Sequence, residues 1–278
     1  MPNAGKTPTD HVIHPRDIAF GRGEKRERWW HGGDPVPTHF YNALSLTFPQ
    51  GERFFMDSVR RYRDRVPPEL APQVQAFLAQ EAMHSREHVA FNNQVSDAGY
   101  DISRMERALK WRLEVSRRFP PAMQLGATIA LEHFTAILAH EGLAEPRHME
   151  GAAPEAARLW RWHAMEEIEH KAVAYDTFLA GLRGIGPMGR WLLRCVTMFF
   201  TTFMFLDRLI SNLADFYKQD GINTLGTWRR TFRYAFVEPG IFARVAKSYL
   251  TYYRPGFHPW EQDDRALLAV AQAEYAQA

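Results

Sequence analysis

Trp160-Arg-Trp-His163-Ala-Met-Glu166-Glu167-Ile-Glu169-His170 is the stretch on which the fold turns. It reads as one helix. His163, Glu167 and His170 stand at i, i+4 and i+7, and at 3.6 residues per turn those positions share a face. Leu159, Ala174 and Thr177 continue that face. Groups with free lone pairs therefore occupy the stripe where an amphipathic helix puts its core. Burying a glutamate and two histidines is costly unless something pairs with them. A divalent metal ion is the simplest partner.

Three more stripes carry the same anomaly. A helix over 48–65, stopping before Pro67-Pro68, turns inward Phe48, Glu52, Phe55, Val59 and Tyr62. A second, from about 68 to 98 and closed by Gly99, presents Phe77, Leu78, Glu81, His84, His88 and Phe91. A third, over 121–142, presents Leu125, Ile129, Glu132, Ala136 and Ala139. The opening stretch lies on a fourth, over 154–182, and 103–118 forms a charged connecting helix. One Glu from each of two helices (Glu52, Glu132) and a Glu-x-x-His from each of the other two (Glu81/His84, Glu167/His170) is the ligand set of ferritin-like di-iron or di-manganese carboxylate bundles. Two neighbouring divalent ions repel, and four carboxylates neutralise and bridge them. His163 is a candidate seventh ligand. His88, Glu166 and Asp176 are candidates to hold a ligand histidine from behind. Glu145-Pro-Arg-His148 repeats the spacing but falls in a loop on no stripe, so it is set aside. The bland alternative is a set of buried Glu–His or Glu–Arg ion pairs, which would have to satisfy six converging polar groups without metal.

The 278 residues are 46% hydrophobic and 24% charged, ordinary for a globular chain. A net charge of +2 gives no argument for a nucleic-acid partner. The single cysteine, Cys195, excludes an intramolecular disulfide and fits a reducing, cytoplasmic compartment. Residues 1–38 hold no apolar h-region and read as an extended or poorly ordered arm. Residues 39–278 read as one all-α domain: a ferritin-like four-helix bundle over 39–184 and a C-terminal helical extension over 187–278. Within the extension, helices are expected near 188–219, 222–236 and 239–253, with a last one from Asp263. The apolar run Cys195–Leu206 is about half the ~20 residues that span a bilayer. It reads as a packed helix, with two rivals: a cavity wall made by Phe199, Phe200, Phe203, Met204 and Phe205, or a membrane-surface element. A peripheral membrane contact and a homodimer stay open as partners.

Phe48-Pro-Gln-Gly-Glu-Arg-Phe-Phe55, Gln80-Glu-Ala-Met-His84, Ala130-Leu-Glu-His-Phe134, Trp162 to Asp176 and Tyr253-Arg-Pro-Gly-Phe-His-Pro-Trp260 resemble a bacterial family described as predicted metal-dependent hydrolases. His163-x-x-x-Glu167-x-x-His170 is also similar to the last ligand helix of di-iron arylamine N-oxygenases, which implies that His163 is an added ligand and that the centre activates O2. The expected function is that of a non-haem di-iron oxidoreductase (oxygenase, hydroxylase or desaturase-like). It would use two Fe ions, or Mn or mixed Mn/Fe, with O2, an external electron donor and an apolar small-molecule substrate. The rivals are a dinuclear metal-dependent hydrolase and a ferritin-like iron-handling protein.

Overall fold

The computed structural model describes residues 6–23 and 25–276. The ends of the expected arm and extension (1–5 and 277–278) lie outside them. The described residues form helices and no strand; a lone bridge joins His31 to Ala152. In chain order the α-helices are α1 (Pro35–Ser45), α2 (Phe48–Arg60), α3 (Ala71–Asp97), α4 (Ser103–Ser116), α5 (Pro121–Ala144), α6 (Pro154–His170), α7 (Val173–Gly181), α8 (Pro187–Gln219), α9 (Leu225–Phe236), α10 (Ile241–Thr251) and α11 (Arg265–Tyr275). α2 packs on α3, α3 on α6, α6 on α5 and α5 on α2, which closes a ring of four helices. α8 and α10 lie against the outside of α5. Gly126 lets α8 approach, since a Cβ there would stand 2.9 Å from the Thr197 side chain.

Three boundaries differ from expectation. α1 begins at Pro35, inside the stretch read as arm, because the Asp34 side chain accepts from the Val36 N–H and Pro35 supplies a preset φ at the first helical position. The expected 48–65 helix ends at Arg60, followed by a short 3-10 turn at Arg63–Arg65. The expected 154–182 helix breaks after His170. There the Lys171 ammonium turns into the interior, 2.6 Å from Asp264 and 4.1 Å from the centroid of the Trp260 ring.

The N-terminal segment is extended but seated. Ile13, Ile18 and Phe20 are buried. His11 pairs with the Glu169 carbonyl at 2.6 Å, the Phe20 N–H donates to Glu87, and Arg22 meets the same carboxylate. This strap crosses α3 and α6 on the side away from the ring's interior. α6 is consequently buried nearly all round, as a helix at the centre of a layered protein must be.

Only α5 among the described residues is long and apolar enough to cross a membrane, and two-thirds of that window is buried inside the protein. α8 instead has two apolar faces. Thr201, Phe205, Arg208 and the partly exposed Met204 line a cavity, while Phe199, Phe200 and Phe203 are exposed on the other side. The expectation that all five aromatic and Met residues wall a cavity, or all pack, is corrected: Met204 and Phe205 line it and the three phenylalanines face outward.

Candidate metal centre

Glu52 on α2, Glu81 and His84 on α3, Glu132 on α5, and His163, Glu167 and His170 on α6 are all buried and meet inside the ring. Their donor atoms cluster in three overlapping groups: Glu52–His84–His163, Glu81–His84–Glu167 and Glu81–Glu132–His170, with the atoms of each group within 4.8 Å of one another. Glu167 faces both ends. Its Oε1 lies 2.9 Å from His163 Nε2 and 3.5 Å from His84 Nδ1, while its Oε2 lies 3.5 Å from His170 Nε2. Glu81 likewise belongs to the group containing His84 and to the one containing His170. So the carboxylate of each Glu-x-x-His pair reaches between the two ends.

Each histidine is fixed from behind, and the partners decide which nitrogen holds the proton. The Asn92 amide donates to the Ser45 carbonyl at 3.2 Å, so its oxygen accepts from Ser45 Oγ at 2.7 Å. Ser45 Oγ then accepts from His88 Nδ1 at 2.8 Å. Burial holds His88 well below the ordinary imidazole range, so it is neutral and its Nε2 accepts from His163 Nδ1 at 2.7 Å. His163, which burial lowers to about 4, therefore turns a bare Nε2 toward Glu167. On the other side Gln80 Nε2 donates to Glu169 at 2.7 Å, which leaves Oε1 to accept from His170 Nδ1 at 3.0 Å. His170 Nε2 then faces Glu81, Glu132 and Glu167 at 3.4, 3.6 and 3.5 Å. His84 donates from Nε2 to Glu166 at 3.1 Å and turns Nδ1 inward, 3.5 Å from Glu167. Burial opposes a charge on His84, but Glu166 and Glu167 outweigh it and lift the group to about 10.

The carboxylates are as poorly answered as the inner nitrogens. Both oxygens of Glu81 and of Glu132, one of Glu52 and one of Glu167 are buried without a hydrogen-bond partner. Burial pushes Glu52 up to about 8 and Glu81 and Glu132 well above the carboxylate range, with neighbouring glutamates adding repulsion. Bare imidazole nitrogens set against carboxylates are mutually repulsive unless a cation stands among them. Separations of 2.9–3.6 Å are those of neighbouring ligands on one ion with bonds of about 2.1 Å. The donor set thus fits divalent metal, with four carboxylates and three imidazoles available to it.

Of the residues expected behind the ligands, His88 holds His163 and Glu166 holds His84. Asp176 does not join them: it accepts from Thr7 and pairs with His258. The α6–α7 break sets it on a different helix from the histidines. His148 is not a loop residue in solvent; it is fully buried and pairs with Glu141 at 3.2 Å. Gln80, Ser45, Asn92 and Arg16 escaped sequence reasoning. Arg16 of the strap clamps Glu169 at 2.7 Å and Glu166 at 3.3 Å, tying the N-terminal segment to the groups behind His170 and His84. Gln80 adjoins the ligand Glu81 in sequence, as Glu166 adjoins Glu167, and that is the one signal that could have found it.

A cavity of about 180 Å³ reaches the centre along Glu52, His163 and Glu167. Its wall is mostly apolar, with Phe48, Phe55, Leu131, Phe134 and Phe205 prominent. Phe134 and Phe205 stack with centroids 5.2 Å apart, joining α5 to α8.

The protein is thus of the all-helical class, built round a buried carboxylate–histidine centre beside an apolar cavity. A family model described as predicted metal-dependent hydrolase matches residues 14–263, and the chain belongs to that family. Neither the curated proteins nor the solved structures include a match.

Proposed function

We propose that the seven residues hold two divalent ions in a ferritin-like arrangement, and that the enzyme uses them to oxidise an apolar substrate with O2. The bare inner nitrogens of His163 and His170, aimed at carboxylates, support the metal reading above all. Glu52, Glu81, His84, Glu132, His163, Glu167 and His170 would hold the ions, with Glu81 and Glu167 reaching both ends of the cluster. With iron bound, such a centre supplies electrons to O2 and is recharged by an external donor. The chain's own part is positioning. His88, Glu166 and Gln80 orient the imidazoles, Ser85 donates to Glu52 at 2.8 Å, and Phe48, Phe55 and Leu131 keep water from the cavity side.

The wall next to the centre favours oxidation over hydrolysis. Its apolar side chains suit a substrate with no polar bond to cleave, although in a hydrolase the metal ions would themselves supply the water nucleophile and meet the oxyanion. The family description favours the other reading, a dinuclear hydrolase. One experiment separates them. The protein is purified from iron-supplemented culture, its metals are counted, and the reduced form is exposed to O2 while absorption and O2 uptake are followed. Two iron equivalents with O2-dependent spectral change support the oxidase reading. Ester or amide cleavage that proceeds anaerobically with zinc or manganese replaces it with hydrolysis.

A further inference from the structure

We propose that the cavity binds an amphipathic substrate, an apolar body ending in a carboxylate, whose anionic end is held by Arg208 and Arg112. The inference rests on the cavity being the substrate site and adds the class of molecule. Arg208 on α8 and Arg112 on α4 both line the cavity that Glu52, His163 and Glu167 also line. Arg208 is largely buried, and its Nε has no hydrogen-bond partner. A buried guanidinium donor without an acceptor carries an uncompensated desolvation cost. Its nearest carboxylate, Asp207, stands 3.6 Å from Nη2 and is already engaged by Arg112. Asp215, the next carboxylate, is met by Arg104 at 3.1 Å and Lys218 at 4.0 Å. Four cations here are therefore set against two carboxylates. Burial and the adjacent Arg112 charge both pull Arg208 below the ordinary arginine range, as expected of a cation short of a counter-ion.

The third cationic residue on the wall differs. Arg161 is paired with Glu274 through two nitrogens, 3.1 and 2.5 Å from its oxygens, and needs nothing further. The space beside Arg208 thus offers a donor of the right charge, and the rest of the wall offers Leu113, Leu131, Phe134 and Phe205 to an apolar chain. A carboxylate is the simplest anion for a guanidinium fork. Held there, it would direct the other end of the molecule toward Glu52 and His163.

Binding of decanoate and of decanol to the metal-loaded protein, by displacement of an apolar fluorescent dye, tests this. Decanoate should bind about tenfold more tightly, the effect of one charge-assisted hydrogen bond. Arg208→Gln and Arg112→Gln should each bring the acid to within about threefold of the alcohol, while alcohol affinity, helical circular dichroism and metal content hold. Equal affinities in the native protein overturn the anionic end and leave the apolar cavity standing. A preference that survives both substitutions but vanishes when the metal is chelated also overturns it, because the acid then sits on the centre. If neither ligand displaces the dye, the cavity is not a substrate site, and the functional reading fails with the inference.

Discussion

Removing the metal should make stability fall as pH rises, and the structure sets both sign and size. In the stripped protein Glu52 keeps its proton up to about 8, and Glu81 and Glu132 keep theirs well above the usual range. The unfolded chain releases those protons near the ordinary carboxylate value of 4.5. Between these limits the folded state binds more protons, so stability falls as pH rises. His84, lifted to about 10, acts in the same direction above 6.5. His163 and His88 are lowered, so they act in the opposite direction, but only below 6.5. From pH 6.5 to 8 the shifts therefore agree in sign. Each retained proton costs about 1.4 kcal/mol per pH unit, so Glu52 alone removes about 2 kcal/mol over that window.

Loading metal should abolish that slope, because bound cations hold the carboxylates ionised and compete with protons. Metal at a hundred times its Kd adds about 2.7 kcal/mol. The assay is urea unfolding of chelated and reloaded protein at pH 6.5, 7.2 and 8. Glu132→Gln sharpens it. Neither oxygen of Glu132 has a hydrogen-bond partner, so the neutral amide should stabilise the stripped protein by about 1–4 kcal/mol and flatten its slope. The same substitution should erase most of the gain from metal. A single change that raises one form and lowers the other is not expected of a residue that merely packs. A stripped protein with flat stability across the window, or a variant that gains from metal as the native chain does, would refute the reasoning.

His88→Leu should leave His163 unanchored and weaken metal binding about 10–100-fold in chelator competition, with helix content unchanged. Arg16→Met should cost about 3 kcal/mol by urea unfolding and speed metal release, since Glu166 and Glu169 lose a buried partner. His148→Ala should leave the metal count intact but lower stability by about 1–3 kcal/mol, because it strips a partner from Glu141 in the interior. Gly126→Leu should lose about 1–3 kcal/mol in the same assay by pushing α8 off α5 at Thr197.

The six glutamates and histidines of the repeated pattern were legible because each sits in an apolar register whose other members are unmistakable. Glu132 stands out between Ile129 and Ala136 for the same reason that Glu81 does after Phe77 and Leu78. Of what anchors them, His88 and Glu166 were legible and the rest was not. Ser45 belongs to a helix preceding the motifs and reaches His88 across 43 residues, and Arg16 reaches Glu169 across 153. Such partners lie on faces set by tertiary packing, and no local period marks them. The break after His170 is of this kind too: Lys171 turns inward to meet Asp264, 93 residues away.

α8 shows where periodicity runs out. A hydrophobic stripe identifies an inward face only when the opposite face is polar. Between Cys195 and Leu206 both faces are apolar, so the pattern states that a helix is present without stating its phase. The packing sets the phase: Gly126 admits Thr197, Phe134 stacks on Phe205, and the turn that follows carries Arg208 to the cavity. Phe199, Phe200 and Phe203 are then turned outward by the same rotation. One helix thereby supplies the aromatic wall and the buried guanidinium that the substrate proposal requires. A rotation of α8 by one residue would withdraw both from the cavity, so the close approach at Gly126 bears on specificity as well as on stability.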